Sequence, residues 1–363
     1  MNPSDMIMNF KRWLKPRALD MSANFWTAMP GHNSVPTYDF NTVTLLDTSL
    51  ASENSGDHII MSYAGKVVEE LFPESKFEHL KTHDWDWDIE RAKKNSLKIV
   101  GGTNLISPDV EGFHNPLALP ILRLPAYRHS VALLGVGMRF EPGRSQTITP
   151  FTSKLLHYVL DPRILHSVRD EQTKQQLAAV GIRNVANTAC VTMWNLTPEF
   201  NKTIPVSKSE NVLTTVTDYR KDPEADRFML SMLLRKYRHV HAWIQADEDR
   251  EYITELMGAD SGISFIGHDL RELNEFLDEH PHIDYVGTRL HCGVHCLNHR
   301  IRSLIIIVDN RAREIHRDTG LPAIERDELR DRLESFIDDD RETRITIPLS
   351  EIRRWKQQFL KLK

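Results

Sequence analysis

Hydrophobic positions along the chain alternate between two periods, one typical of buried strands and one typical of amphipathic helices. In the first half, short apolar runs predict parallel strands at residues 43–47, 97–100, 131–137, 164–168 and 185–190. Between them, the helical period predicts helices at 57–71, 150–159 and 171–180. Strands joined in turn by helices favour a parallel sheet with helices on both faces.

The second half repeats this alternation after a polar segment at 197–210 that contains Pro198 and Pro205. The same two periods predict strands at 211–216, 240–244, 263–266, 284–286 and 302–308, and helices at 227–237, 247–257, 270–279, from 309 and at 349–360. We interpret 197–210 as an interdomain linker. The predicted fold class is α/β, with two Rossmann-like domains, 41–200 and 201–363, facing each other across a cleft that binds ligands.

Composition narrows the function only slightly. The chain has 363 residues, more than one compact core usually holds, which supports two domains. A net charge of −5 without a basic block gives no electrostatic footprint for nucleic acid. Three cysteines fit a reducing compartment, and no apolar run is long enough to span a membrane. These features indicate a cytoplasmic protein that does not bind nucleic acid.

Residues 1–40 are predicted to form an irregular leader that includes a short amphipathic helix. Apolar residues share one face of the segment 6–17, and lysines and arginines surround them. Such a segment commonly packs on its own protein. Peripheral contact with the anionic inner face of a membrane is the alternative interpretation.

One stretch, residues 284–295, carries the strongest chemical signal. A buried strand ends in the turn Gly287-Thr288, and a helix opens at Arg289. Helix N-termini attract anions, and a guanidinium holds a carboxylate or phosphate in a two-pronged fork. His291, in the same turn, can transfer a proton near neutral pH. These residues predict a site for a small phosphorylated anion. A structural arginine and a hydrogen-bonded histidine at an ordinary junction are the alternative.

A second candidate turn lies early in the chain, between the strand at 43–47 and the helix that follows. It contains Asn54, Gly56 and Asp57, and Asp57 is the expected N-cap of the helix. This loop resembles a phosphate-cradling turn, although it lacks the lysine of a P-loop and the three glycines of a Rossmann fingerprint.

Two further strand ends carry candidate binding residues. Gly101 and Gly102 end a strand and are followed by Thr103, and paired glycines let a ligand approach the backbone closely. Arg169 ends another strand where a helix begins. All these turns lie at the carboxyl ends of predicted parallel strands, where ligands of α/β sheets bind.

The sequence gives weaker signals for a bound metal ion and for a catalytic nucleophile. His291 and His295 are four residues apart on a predicted helix, which could place two imidazoles on one metal, but Cys292 and Cys296 share this spacing. We interpret the set as core packing and predict no metal site. No Gly-x-Ser-x-Gly turn or recognisable catalytic cysteine is present, so acid/base chemistry and anion binding remain.

Five motifs occur in a fixed order along residues 45–320. They are Asn54-Ser-Gly-Asp57, Gly101-Gly-Thr-Asn-Leu105, Ser167-Val-Arg-Asp-Glu171, Gly287-Thr-Arg-Leu-His291 and Val308-Asp-Asn-Arg311. This series resembles the polysaccharide pyruvyl transferases, and the third and fourth motifs are its more specific part. The sequence departs from the family where a longer glycine run often follows Gly102, since Thr103 and Asn104 stand here.

The resemblance implies a fold like that of the GT-B glycosyltransferases. It implies transfer of a pyruvyl group from phosphoenolpyruvate to two hydroxyls of a sugar, forming a ketal during synthesis of an exopolysaccharide. The implied partners are this donor and a sugar or lipid-linked oligosaccharide acceptor, with no cofactor. Carried over by position, Arg169, Arg289 and His291 are the implied catalytic residues, and Leu290 is implied to bind substrate.

Phosphoenolpyruvate carries a carboxylate and a phosphate, so two arginines are a natural minimum for its binding. We expect the small-residue turns at 54–57 and 101–103 to bind substrate as well. Two other functions stay open from the sequence. One is a glycosyltransferase of the same fold that uses a nucleotide sugar, and the other is a non-catalytic binding protein.

Overall fold

The computed structural model describes residues 35–82, 96–108, 124–140, 145–245 and 247–362. The predicted basic helix at 6–17 lies outside these residues. Within the described part of the chain, no helix combines the length and apolar character that crossing a membrane requires.

The first half alternates strands and helices. Its strands are β1 (Thr42–Asp47), β2 (Lys76–Lys81), β3 (Leu97–Gly101), β4 (Val131–Leu134), β5 (His166–Val168) and β6 (Val185–Asn187). Its helices are α1 (Ser55–Leu71), α2 (Leu124–Tyr127), α3 (Pro150–Val159), α4 (Glu171–Ala179) and α5 (Pro198–Asn201). The longer helices begin at local signals. Thr149, for example, accepts a hydrogen bond from the backbone of Thr152 and is followed by Pro150 at the first helical position.

The second half continues the same alternation. Its strands are β7 (Asn211–Thr215), β8 (His239–Trp243), β9 (Ile263–Ile266), β10 (Asp284–Gly287), β11 (Ser303–Ile307) and β12 (Ala323–Glu325). Its helices are α6 (Pro223–Lys236), α7 (Asp247–Met257), α8 (Leu270–Glu279), α9 (Leu290–Asn298), α10 (Asn310–Thr319), α11 (Leu329–Asp338) and α12 (Leu349–Leu362).

The chain divides into two compact units. One comprises the residues up to Ala51, Ala64–Thr188 and Ser350–Lys363, and the other comprises Ser52–Tyr63 and Ala189–Leu349. In the described part of the first unit, a parallel sheet has the order β2-β1-β3-β4, and a bridge between Val136 and Val168 leads on to the parallel pair β5-β6. The strands β1, β3 and β4 are buried along their whole length, as expected when helices cover both faces.

The second unit is built on one parallel sheet. Its described strands have the order β12-β11-β10-β7-β8-β9, and every neighbouring pair is parallel. Its main apolar cluster joins residues of these strands to α6, α7 and α11, including Leu230, Ile253 and Leu333. The predicted α/β fold with parallel sheets in both halves is confirmed.

The unit bounds differ from the predicted domain bounds at Ser52–Tyr63, which belongs to the second unit, at the linker and at the C-terminus. Within 197–210 the chain forms the short helix α5, whose Asn201 donates to the carbonyl of Ile345 at 2.7 Å, so this segment belongs to the second unit. The last helix belongs to the first unit. Gln358 of α12 donates to the carbonyl of Leu165 and accepts from its backbone nitrogen. Periodicity shows neither assignment, because both depend on contacts between distant segments.

Fully buried His166, on β5, predicts a loss of stability in mild acid. Its Nδ1 accepts from the backbone of Leu133 at 3.4 Å, and Nε2 contacts the carbonyl of Asp161 at 3.1 Å, which fits a neutral ring. Burial lowers the pKa of His166 to about 4. Between pH 6.5 and 4 the unfolded chain therefore binds a proton that the folded chain does not, and stability falls with pH by about 1.4 kcal/mol per unit.

Denaturant titrations from pH 7.5 to 4.5 measure this loss. We expect His166→Asn to flatten the acid limb, while a Gln variant of the exposed His157 keeps the slope of the natural chain. An unchanged slope in His166→Asn would assign the acid sensitivity to other groups.

Candidate active site

The strand order of the second sheet reverses between β7 and β10. From this point β7, β8 and β9 follow one another in one direction, and β10, β11 and β12 in the other. Ligands of open parallel sheets bind outside the strand carboxyl ends at such a reversal. The two strands end at Thr215 and Gly287, so Arg289 directly follows the reversal point.

The turn that carries Arg289 is fixed by close backbone packing. A Cβ atom at Gly287 would lie 2.5 Å from Oγ1 of Thr215 and 2.7 Å from its backbone nitrogen, so only glycine fits here. The backbone nitrogen of Arg289 donates to Oγ1 of Thr215 at 3.2 Å. Arg289 is the N-cap residue of α9, although its side chain makes no capping bond and is directed to other partners.

The guanidinium of Arg289 is held from several sides and the residue is only 8% exposed. Nε donates to the carbonyl of Val216 at 3.3 Å. Nη2 donates to both oxygens of Asp249, at 2.8 and 2.9 Å, and to Asp218 at 2.9 Å. The ring of Tyr219 lies 5.1 Å from the guanidinium carbon. Burial raises the pKa of the Asp249 carboxyl, and the charge of Arg289 acts in the opposite direction.

His291 lies in the first turn of α9, two residues after Arg289, and is buried. Its Nε2 is 3.8 Å from Sγ of Cys190, a buried thiol that also accepts a hydrogen bond from the hydroxyl of Thr192 at 3.2 Å. Leu290, between the two candidate residues, is buried as well. The structure therefore brings an arginine and a histidine together at one helix opening, as the sequence predicted.

His295, one turn further along α9, uses both ring nitrogens within the protein. Nδ1 is 3.1 Å from the hydroxyl of Tyr63, and Nε2 is 2.7 Å from Oδ1 of Asn274. Across the ranges that the structure describes, no group of three or more His, Cys, Asp or Glu residues is arranged to hold a metal ion. Both ring nitrogens of His295 are thus engaged with Tyr63 and Asn274.

Arg169 lies in the first unit, between β5 and α4, and is fully buried. Its Nε donates to Asp170 at 3.3 Å, and its Nη2 donates to the side-chain oxygen of Asn104. Nη1 has no hydrogen-bond partner among the described residues. A Cβ atom at Gly137 would collide with the guanidinium, so this glycine makes room for the side chain. The arrangement leaves one donor nitrogen of a buried cation for a further acceptor.

The glycine turn after β3 holds the loop that reaches Arg169. Gly102 and Thr103 both have left-handed backbone angles, with φ of 57° and 53°. The backbone of Gly102 donates to Leu134 at 2.7 Å, and the carbonyl of Thr103 accepts from Gly137 at 2.9 Å. Gly101 ends β3 itself. This geometry places Asn104 against Arg169, so two separate sequence candidates form one cluster.

The loop at 52–57 belongs to the second unit and satisfies many of its own polar groups. The side chain of Asn54 accepts from the backbone of Gly56 at 3.0 Å, and Asp57 accepts from the hydroxyl of Ser52 at 2.7 Å. Helix α1 begins at Ser55, which places Asp57 in its first turn. The helix starts two residues earlier, directly after Asn54, so the prediction that Asp57 is the N-cap was wrong.

The sequence-predicted residues thus form two groups. Arg169 and the turn at 101–103 belong to the first unit, and the turns at 54–57 and 289–291 belong to the second. Sequence reasoning missed the groups that hold the arginines, which are Asn104, Gly137, Asp218 and Asp249. Asn104 stood within a quoted motif, whereas Asp249 lies in the acidic run Asp247-Glu248-Asp249 at a helix start, which by itself gives no signal of a contact with Arg289.

Arg289 and His291 therefore lie where open parallel sheets bind ligands, and a guanidinium there can hold an anion. The sequence profile of the polysaccharide pyruvyl transferases matches residues 54–310, more than half of the chain. The chain therefore belongs to the polysaccharide pyruvyl transferase family, whose members transfer pyruvyl groups to sugar acceptors in polysaccharide biosynthesis. No curated protein sequence matches the chain.

Similar solved structures include nucleotide-sugar enzymes. A UDP-N-acetylglucosamine 2-epimerase is 12% identical, with a TM-score of 0.45, over 90% of this chain and 96% of that one. The UDP-GlcNAc 2-epimerase from Neisseria meningitidis bound to UDP-GlcNAc is 11% identical, with a TM-score of 0.44, over 88% and 98%. The E. coli heptosyltransferase WaaC with ADP-2-deoxy-2-fluoro heptose is 14% identical, with a TM-score of 0.34, over 73% and 88%.

Proposed function

We propose that the protein transfers a pyruvyl group from phosphoenolpyruvate to two hydroxyls of one sugar residue, in a polysaccharide or its precursor, to give a cyclic ketal. The observation that carries the proposal is the Arg-Leu-His turn at the order reversal of the second sheet, where Arg289 and His291 open one helix. Membership of the family supports pyruvyl transfer in general.

Phosphoenolpyruvate has two anionic groups, and we assign Arg169 and Arg289 to them. A guanidinium binds a carboxylate or phosphate through two parallel N–H donors, which is stronger and more directional than a single contact. Nη1 of Arg169, which has no hydrogen-bond partner in the part of the chain that the structure describes, supports this role. We assign Leu290 and the turns at 54–57 and 101–103 to substrate binding.

The reaction is a substitution at C2 of the enol phosphate. A proton adds to the methylene carbon, and the resulting oxocarbenium-like C2 is attacked by a first sugar hydroxyl, which loses its proton. The bond from C2 to the phosphate oxygen then breaks, and inorganic phosphate leaves with both electrons of that bond. A second hydroxyl attacks C2, loses its proton and closes the ketal ring. The oxidation level of the substrates is conserved overall, so we propose no redox cofactor.

We assign the proton transfer to His291. An imidazole can give and take protons near neutral pH, which suits a step that protonates carbon and later steps that remove hydroxyl protons. Arg289 lies in the same turn, and a cation beside a departing phosphate stabilises its developing charge. The buried position of the turn strengthens both interactions, because water screens them less.

Incubation of the purified protein with phosphoenolpyruvate and a panel of soluble and lipid-linked glycans tests the proposal. We expect release of inorganic phosphate and a mass gain by one glycan of one pyruvate less one water. The His291→Gln protein, assayed in parallel, is the matched control for contaminating phosphatase.

Two results would contradict this function. Phosphate release without any glycan mass gain would indicate hydrolysis of the donor rather than transfer. Release of a nucleotide from a nucleotide sugar, with transfer of the sugar, would instead favour a glycosyltransferase.

A further inference from the structure

Two carboxylates share one nitrogen of Arg289, and their surroundings are very different. Asp249 and Asp218 both accept from Nη2, at 2.8 and 2.9 Å. Asp249 is only 1% exposed at its side chain, whereas Asp218 is 27% exposed. One guanidinium with two ionised carboxylates has a net charge of −1, which opposes the approach of a further anion.

We propose that Asp249 is a positioning residue that fixes the Arg289 guanidinium, and that Asp218 occupies the place of the incoming anion and gives it up when the donor binds. The identity of that anion as phosphoenolpyruvate rests on the proposed function. The separate roles of the two carboxylates rest on their geometry.

Asp249 has the contacts of a permanent partner. Both of its oxygens lie within 2.9 Å of Nη2, and Oδ2 also accepts from the backbone of Gln245 at 2.9 Å. It lies in the first turn of α7, where the helix field favours a negative charge. Removing a buried carboxylate of this kind leaves its cation uncompensated, which is strongly unfavourable. Asp249 therefore stays bound to Arg289 in both states.

Asp218 has the contacts of a temporary partner. It begins a short 3-10 turn, Asp218–Arg220, and reaches Nη2 through one oxygen. Because it is partly exposed, water can replace the guanidinium at little cost, and such ion pairs contribute weakly to stability. Its displacement frees an N–H group of Nη2 without disturbing the fold.

The hydrogen-bond capacity of the guanidinium explains why one carboxylate must leave. Nη2 has two hydrogens, and the two aspartates each take one of them. The hydrogen bonds that the described residues make with this side chain use Nε and Nη2, and Nε is held by Val216. A donor bound in a two-pronged fork needs Nη1 together with one hydrogen of Nη2. Asp218 is the partner that can release that hydrogen.

Calorimetric titration of phosphoenolpyruvate, and separately of inorganic phosphate, into single variants tests the two roles. We expect Asp218→Asn to tighten binding of both anions by about two- to tenfold, and Asp218→Ala to tighten it at least as much, since a competing charge is removed. We expect Asp249→Asn to weaken binding by about tenfold or more, because the guanidinium loses its orienting partner. The opposite signs are the distinguishing result.

Asp260→Asn is the matched control, because it removes the same charge from an exposed site beyond the far end of α7. We expect its affinities to equal those of the natural chain. Asp249→Glu keeps the charge, and we expect it to recover part of the affinity, which separates positioning of Arg289 from general destabilisation. Thermal unfolding of each variant confirms that the titrated protein is folded.

Weaker or unchanged anion binding in both Asp218 variants would overturn the role of Asp218, and so would the absence of binding in these variants and in the natural chain. Tighter binding in Asp249→Asn would overturn the positioning role. If these binding changes occur but the natural protein transfers no pyruvyl group, the proposed function fails and the assignment of the two carboxylates stands.

Discussion

His291→Gln is expected to lower turnover by about 10²- to 10⁴-fold at saturating phosphoenolpyruvate, the usual range for loss of a general acid or base. Glutamine is similar in size and can hydrogen-bond, but it cannot transfer a proton. Because the donor's charges are assigned to the arginines, the affinity for phosphoenolpyruvate should change little. Steady-state rates with saturating donor and acceptor, together with calorimetric donor affinity, measure the two effects separately.

The exposed His282 offers a control for this experiment, since His282→Gln makes the same chemical change on the surface of the same unit. We expect natural rates for that variant. If His291→Gln keeps a rate near that of the natural protein while folded, His291 only positions phosphate, and the proton must come from another group. His291→Ala should be no better than the glutamine variant.

Arg169→Lys is expected to lower kcat/KM for phosphoenolpyruvate by about 30- to 1000-fold, equivalent to about 2–4 kcal/mol. Lysine keeps the positive charge but loses the planar fork, so it cannot contact Asn104 and also offer a second nitrogen to a ligand. Initial rates over a range of donor concentrations at fixed acceptor give this ratio.

Two further variants separate binding from folding in this cluster. Arg163→Lys alters a partly exposed arginine paired with Asp161 at 2.7 Å in the same unit, and we expect natural kcat/KM. Gly137→Ala places a methyl group against the Arg169 guanidinium and should reduce kcat/KM in the same direction. A natural value for folded Arg169→Lys would show that this arginine supports structure alone.

The elements that the sequence predicted best are those set by local signals. The bounds of α3, α7, α8 and β9 agree with the predicted bounds. The capping residues Thr149 and Asp269 mark the starts of α3 and α8, and a regular apolar period extends along the helices. Strand β2 was missed. Its residues 76–81, Lys-Phe-Glu-His-Leu-Lys, contain only two apolar side chains and no strict alternation, because the strand lies at the edge of the sheet and pairs on one side only.

The candidate site was predictable only where local sequence signals mark its residues. Arg289 and His291 stand out because a strand, a glycine turn and a helix opening are adjacent in sequence. Nothing near Asp218 or Asp249 indicates that they meet Arg289, since strand order decides which loops converge at one sheet edge. Asn104 was visible as part of a motif, but its contact with Arg169 depends on two left-handed residues that composition does not reveal.

The partners of Arg289 come from distant parts of the sequence. Asp218 lies 71 positions and Asp249 lies 40 positions before it, and its backbone nitrogen is held by Thr215, 74 positions away. Closing loops of this length costs chain entropy, which the fold of the whole sheet must offset. A short peptide with the Arg-Leu-His sequence therefore lacks the partners that hold the guanidinium. The same motif placed on a helix of another protein would have the same residues but not the same hydrogen bonds. Transfer of this site to another protein would therefore require the whole parallel sheet that brings these residues together.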